Sequence, residues 1–443
     1  MSLSFGTDGV RGVANTELTP ELALALGRAT AHVLGPTGSV VVGRDTRRSG
    51  PLLEGAFVAG LSSAGVDALL LGVAPTPTVA WVSADAGIPG AMVSASHNPY
   101  ADNGIKLFAP GGRKLSDELE AAVEAALADG SGPRPVGLGV GRPVDAPDHV
   151  AAWAASVAGT IEGRTLEGLR IVVDCANGAA SPVAGDLLAK VGADVVVIND
   201  RPDGTNINDG CGATHPEALG RAVVAHGAAL GLALDGDADR CIAIDHAGQV
   251  VDGDQILAVL ALDRRRRGVL KADTVVVTVM TNLGFRHAMA AEGIDVVDTA
   301  VGDRYVLDAM EAGGYALGGE QSGHVIQRDL ATTGDGLLTG VALCDAVVRS
   351  GRSLAELAGV MTRLPQVLHN VRLPARPENL LHVLDLVADD VAAAERELGR
   401  DGRVLLRPSG TEPVVRVMVE AATQQHAAEV AGRLVAAVEA AAS

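Results

Sequence analysis

Aromatic side chains are scarce in this sequence: two Trp, three Tyr and four Phe make up 2% of the chain. Its cores must be built from Ala, Val, Leu and Ile, because hydrophobic residues still reach 48%. Lysine is almost absent, with Lys106, Lys114, Lys190 and Lys271 the only four among 35 basic residues. Any lysine near chemistry has therefore resisted a bias toward Arg. Positive charge as a whole is in deficit, 35 basic against 54 acidic residues, for a net charge of −19. Such a chain repels phosphate backbones and anionic bilayers, which argues against nucleic-acid and membrane partners. The four cysteines, Cys175, Cys211, Cys241 and Cys344, form no CxxC pair and no metal-ligand spacing. In a long chain they read as free thiols of a reducing compartment. No apolar run reaches about 18 residues, and no basic-then-apolar leader opens the chain, so the expectation is cytoplasmic.

What is present is length and recurrence. At 443 residues the chain has room for about three domains. Thr19-Pro20-Glu21 reads as a helix start, and Ser39 to Gly43 as a buried strand. Similar short apolar runs recur at Leu169 to Val173 and Thr274 to Val277. Each is followed by a helix, a second strand (Ala68 to Leu71, Asp194 to Ile198, Asp295 to Val297) and a third strand ending in a polar loop. These loops begin near Ser94, Asp235 and Gly318. The pattern predicts three diverged copies of one α/β unit, with ligands at the carboxyl ends of the strands. Linkers fall at Gly130 through Pro147, near Asp252-Gly253 and at Leu364-Pro365, leaving a smaller fourth segment with a Gly/Pro/Ser loop between two strands. The basic run Arg264 to Arg267 reads as a solvated loop.

Five motifs carry chemistry. Asp235-Gly-Asp237-Ala-Asp239-Arg240 sets three carboxylates at alternate positions, where an extended loop projects them to one side toward a hard cation. An EF-hand fails, since Arg240 and His246 stand where Gly and Glu are required. An Asp-rich turn is the plainer alternative, but bunched carboxylates without a cation repel one another. Ser94-Ala-Ser96-His97-Asn98-Pro99 is either a capped turn or the loop of a covalent phosphoryl carrier. Arg407-Pro-Ser409-Gly410-Thr411-Glu-Pro413, with Arg416, offers guanidinium, hydroxyl and open backbone to a phosphate. Gly319-Glu320-Gln-Ser322-Gly-His324 suits a polyhydroxylated substrate, and Thr7-Asp-Gly-Val-Arg11-Gly12 adds a cation. No GxxxxGK[ST] loop occurs, which weakens a nucleotide-dependent sugar kinase; an inert sugar-phosphate sensor is disfavoured by the intact serine and aspartates.

In this order the five motifs resemble those of the α-D-phosphohexomutases, over essentially the whole chain, and within that family the bacterial enzymes that act on glucosamine phosphate. The resemblance implies four domains around one cleft: three similar α/β units with mixed sheets, and a smaller TATA-binding-protein-like α+β domain at the C-terminus. With the linkers, these would span 1–145, 146–252, 253–364 and 365–443. It implies Ser96 as the phosphoserine, and Asp235, Asp237 and Asp239, with Ser96, as ligands of one Mg²⁺. It gives Glu320 and Ser322 to sugar hydroxyls, and Arg407, Ser409, Gly410, Thr411 and Arg416 to the phosphate not being transferred. Arg11, Lys106 and Arg240 would stabilise the transferring group, with Lys106, His97 and His324 as rival general bases. The implied reaction is glucosamine 6-phosphate to glucosamine 1-phosphate through a 1,6-bisphosphate, feeding UDP-N-acetylglucosamine and cell-wall synthesis. Activity on mannose or glucose phosphates is the alternative, and a homodimer is among the assemblies the resemblance allows.

Overall fold

The computed structural model describes residues 9–35, 38–373, 380–408 and 413–442. Short Val-rich runs become its central strands. Ser39–Arg44, Arg170–Asp174 and Thr274–Thr278 each sit inside a sheet between two parallel neighbours. One neighbour is the second strand of its repeat: Asp67–Val73, Asp194–Ile198 or Asp295–Thr299. The other is the third: Gly90–Val93, Leu230–Leu234 or Leu317–Gly319. Beside each third strand an antiparallel fourth returns: Asp102–Ala109, Cys241–Asp245 or Val325–Gln327. The same turn between third and fourth strands thus recurs in all three copies. It holds the Ser94 loop in the first, the Asp235 loop in the second and the Glu320 loop in the third. In the third copy the strand runs through Gly319, so the loop opens at Glu320 and not at Gly318.

The shortage of aromatics shows in the packing. The first helix, Pro20–Leu34, is capped by Thr19, which accepts the Leu22 N–H. It lies against the helix Gly50–Ser63 with almost no space between backbones. A Cβ at Gly27 would stand 2.1 Å from the Phe57 carbonyl oxygen, and one at Gly60 would stand 2.2 Å from that of Leu24. Small residues let these helices gain by proximity the contacts that large side chains would otherwise supply.

One local expectation is overturned. Arg264 to Arg266 form the last turn of the helix Gly253–Arg266 and not a solvated loop. Arg264 is buried, donates to Gln327 Oε1 at 3.2 Å and pairs with Asp329. A helix C-terminus favours cations, and the partners come from a distant strand and its flank. The four cysteines are buried and unbridged. Among the described residues no helix is long and apolar enough to cross a membrane.

The chain forms two compact units, residues 1–280 with 294–360, and 281–293 with 361–443. The first holds the sheets of all three repeats, while the helix after the first strand of the third repeat belongs to the second. The second is an antiparallel sheet of three strands, Gln366–Arg372, Val414–Glu420 and Arg403–Pro408 in spatial order, covered by the helix Gln424–Ala441. Its Glu420 is fully buried. That carboxylate accepts from Arg403 Nε at 2.7 Å, Asn282 Nδ2 at 3.1 Å and the Leu283 N–H at 2.9 Å. It thereby fixes the helix Leu283–Ala291 to this sheet.

Candidate active site

The serine loop is held from beneath by one buried arginine. Arg47 Nη2 donates to the Ser96 and Asn98 carbonyls at 2.9 and 2.8 Å, and Nη1 to the carbonyls of Asp102 at 3.1 Å and of Pro99. Its Nε pairs with Asp45 Oδ2 at 2.8 Å, and Asp45 also accepts from Ser94 Oγ at 2.6 Å. Ser94 Oγ in turn accepts the Ser96 N–H at 2.9 Å. Asn208 Nδ2 reaches the Ser96 carbonyl at 2.9 Å from the second repeat. So clamped, Ser96 keeps a left-handed backbone, φ 50°. For a residue with a side chain this costs on the order of 1–3 kcal/mol and marks a site under functional constraint.

The acidic loop converges differently from the expected extended loop. Asp235 to Asp239 form a tight turn closed by the Ala238 N–H donating to the Asp235 carbonyl at 3.0 Å, with Ala238 itself left-handed at φ 59°. Turn geometry, not alternation, brings the three carboxylates together, with one oxygen from each within 4.8 Å of the others. Gly236 allows the two loops to meet, since a Cβ there would lie 2.5 Å from the Ser96 carbonyl oxygen. Ser96 Oγ then donates to Asp235 Oδ2 at 2.6 Å. Asp237 accepts from Thr76 Oγ1 at 2.6 Å and pairs with Lys106 at 2.7 Å, while Lys106 reaches Asp239 at 3.3 Å. Two buried carboxylate oxygens, Asp237 Oδ1 and Asp239 Oδ1, have no hydrogen-bond partner. Burial, then Asp239 and Asp237, push the Asp235 carboxyl well up. Burial opposes the charge of Asp239 too, yet Lys106 and His324 hold its carboxyl well below the usual range. Crowded hard oxygens with unmet lone pairs are the donor set of a divalent cation such as Mg²⁺.

A cavity of about 190 Å³ opens beside these loops. Arg11, Ser96, Lys106, Asp239, Arg240, Glu320 and His324 line it, so seven residues singled out in the sequence meet here. His97 contacts Ser96 Oγ through Nδ1 at 3.3 Å, and burial, Arg240 and Arg11 lower its pKa to about 4, leaving a neutral ring at pH 7. Burial would discharge His324 as well, but Asp239 and Asp303 raise it. Burial likewise opposes the Arg240 charge, and Asp239 and Asp235 outweigh it. Ser322 Oγ is a buried hydroxyl with no hydrogen-bond partner. Arg407 and Arg416 lie opposite one another in the second unit's sheet, and burial together with Arg416 depresses Arg407. Ser409, Gly410 and Thr411, like Thr7 and Asp8, lie outside the described residues.

Sequence reasoning missed several supports. Asp303 lines the cavity, faces His324 Nε2 at 3.3 Å and pairs with Lys114 at 2.7 Å. Its neighbour Gly302 donates its N–H to Glu320 Oε1 at 3.1 Å. Asp45, Arg47, Thr76 and Asn208 were also unmarked. Only Arg47 carried a signal, as one of several arginines after a buried strand.

Comparison with known proteins agrees with this geometry. Segments of the phosphoglucomutase/phosphomannomutase family match in order: alpha/beta/alpha domain I at residues 2–132, domain II at 148–248, domain III at 252–364 and the C-terminal domain at 368–437. A phosphoglucosamine mutase of Streptomyces griseus is 58% identical over 98% of both chains, and one of Streptomyces coelicolor 57% identical over the whole of both. Among solved structures, a phosphoglucomutase/phosphomannomutase family protein of Burkholderia thailandensis superposes with a TM-score of 0.84 at 26% identity, covering 99% of this chain and 97% of that one. An N-acetylphosphoglucosamine mutase of Aspergillus fumigatus, solved with GlcNAc-6P and magnesium, shares the fold with a TM-score of 0.71 at 20% identity, covering 100% and 96%. The chain belongs to the α-D-phosphohexomutases, the phosphoglucomutase/phosphomannomutase family, grouped with the bacterial phosphoglucosamine mutases, and is a phosphosugar isomerase.

Proposed function

We propose that this site interconverts glucosamine 6-phosphate and glucosamine 1-phosphate, with Ser96 carrying the phosphoryl group between sugars. The observation that supports it most is the bond from Ser96 Oγ to Asp235 Oδ2, which joins a clamped nucleophile loop to three crowded carboxylates. Phosphorylated Ser96 gives its phosphoryl group to the free sugar hydroxyl: the serine O–P bond breaks, the sugar O–P bond forms, and the hydroxyl proton passes to a base. The 1,6-bisphosphate so formed turns over and returns its other phosphoryl group to Ser96.

Asp235, Asp237 and Asp239, with an oxygen of Ser96, would hold Mg²⁺, which supplies charge neutralisation at the transferring group. The orphan oxygens of Asp237 and Asp239 fit that ion, and the Aspergillus relative was solved with magnesium. Arg11 and Arg240, lining the cavity, would stabilise the equatorial phosphoryl oxygens. Lys106, His324 and His97 are the candidates for the proton; a neutral His97 can accept one, whereas Lys106 is engaged with Asp237 and Asp239. Glu320 and Ser322 would orient sugar hydroxyls. Arg407, Ser409, Gly410, Thr411 and Arg416 would bind the phosphate at rest. We assign the work to domains 1–145, 146–252, 253–364 and 365–443, and to the cytoplasm.

Intact-mass measurement with site mapping will find a phosphoryl group on Ser96 in the purified protein. Ser96→Ala will abolish turnover even with added bisphosphate; near-normal turnover in that variant would remove Ser96 from the mechanism.

A further inference from the structure

A second cavity, of about 380 Å³, shares no lining residue with the first. Its size falls within the roughly 300–1,000 Å³ of small-molecule sites. Both tryptophans of the chain, Trp81 and Trp153, line it, together with Arg328, Thr333 and Asp335. Trp153 is buried and its indole N–H is taken by Asp335 Oδ2 at 3.1 Å, so it forms a fixed floor of the cavity. Trp81 is half-buried. Asp329, also in the wall, is paired with Arg264. Arg328 is half-buried, and its guanidinium has no hydrogen-bond or ion-pair partner among the described residues. Asp335 has hydrogen-bond donors but no cation, and with burial raising its pKa to about 7 it is mostly neutral below that pH, where the unmatched charge of the wall is that of Arg328, beside the Trp81 indole.

We infer that this cavity is an effector site for a planar organic anion, its ring against the Trp81 indole and its anionic group on the Arg328 guanidinium. Indoles favour stacked ring partners, and a partly desolvated guanidinium favours an anion that replaces its lost water. Two walls lead to the candidate active site. Trp81 lies on the helix Thr76–Ala86, whose first residue donates Oγ1 to Asp237 at 2.6 Å and its N–H to the Asp237 carbonyl at 2.9 Å. Thr333 precedes Gly334, whose N–H donates to His324 Nε2 at 3.1 Å. An occupant that shifts either wall shifts a residue of the reaction. The binding half stands on the cavity alone, while this coupling rests on the function proposed above.

Because both tryptophans line the cavity, their fluorescence reports on it. Titrating the full chain with 8-anilinonaphthalene-1-sulfonate will quench tryptophan emission saturably, at one site per chain. Arg328→Met, with unchanged melting and basal turnover, will bind this probe about tenfold more weakly. The uncharged N-phenyl-1-naphthylamine will not distinguish the two proteins. At saturation the sulfonate will change mutase turnover at least twofold in the parent; the same concentration will leave Arg328→Met little changed. No saturable quenching, equal affinity in both proteins, or unaltered turnover in the parent would each overturn the proposal. A chain that binds the probe through Arg328 yet converts no phosphosugar would instead sink the functional reading and leave the binding site standing.

Discussion

The serine loop and the acidic loop touch, yet they are built on opposite terms. Beneath Ser96 the carbonyls of residues 96, 98, 99 and 102 all receive donors from Arg47, and the charge of Arg47 is met by Asp45. Around Asp235 to Asp239 the carboxylates crowd one another, and two buried oxygens accept no hydrogen bond, although Asp239 Oδ1 faces His324 Nδ1 at 3.7 Å and Arg240 Nε at 3.8 Å. One loop is completed by the protein; the other is left for something else to complete. A covalent carrier needs a fixed position in both its states, and a cation site needs lone pairs that the protein has not consumed.

Breaking the first loop should be the costlier act. Arg47→Met leaves Asp45 buried without its cation and strips donors from the loop carbonyls. A loss of about 3–5 kcal/mol is expected in denaturant unfolding; a loss below about 1 kcal/mol would show that the loop is not held by Arg47.

A third buried carboxylate sharpens the contrast, because Asp335 has donors but no cation. It accepts the Leu338 N–H at 2.9 Å and the Trp153 indole, and burial raises its pKa from 3.8 to about 7. The folded state thus holds this proton more tightly than the unfolded one. The resulting stability is complete below about pH 4 and is lost as pH rises through about 7. Asp335→Asn keeps an oxygen to cap the helix, and its melting temperature should vary less over that interval than the parent's. Identical pH slopes in the two proteins would contradict the burial of a titrating carboxyl there.

The smallest effect is expected where the loop is unfinished. Burial and the neighbouring Asp239 and Asp237 resist the charge of Asp235. Asp235→Asn should therefore match or exceed the metal-free stability of the parent, to within about 1 kcal/mol. It should also lose the rise in melting temperature that Mg²⁺ gives the parent. A large metal-free loss would make the triad a structural device in its own right.

The threefold repeat was legible because a buried strand writes itself as a short apolar run, three times over, at Val40, Ile171 and Val275. The loops were legible because their residues are consecutive. Arg47, Thr76, Asn208 and Asp303 were not, since each acts singly on a group far along the chain, as Thr76 does on Asp237 and Asn208 on Ser96. Local spacing carries no trace of such a partner. The acidic turn shows the same limit, for alternating aspartates fit a strand as well as they fit the left-handed Ala238 that gathers them. Arg264 was read as solvated because its partners Gln327 and Asp329 lie across the unit.

Of the four lysines, Lys106 is sealed against Asp237 and Asp239 and Lys114 is locked to Asp303, whereas Lys190 and Lys271 stand in solvent. Among lysine side chains, amine-directed chemistry therefore meets two open handles and two guarded ones. A tether or dye can be attached at the open pair while the ammonium groups beside the cavity stay unmodified.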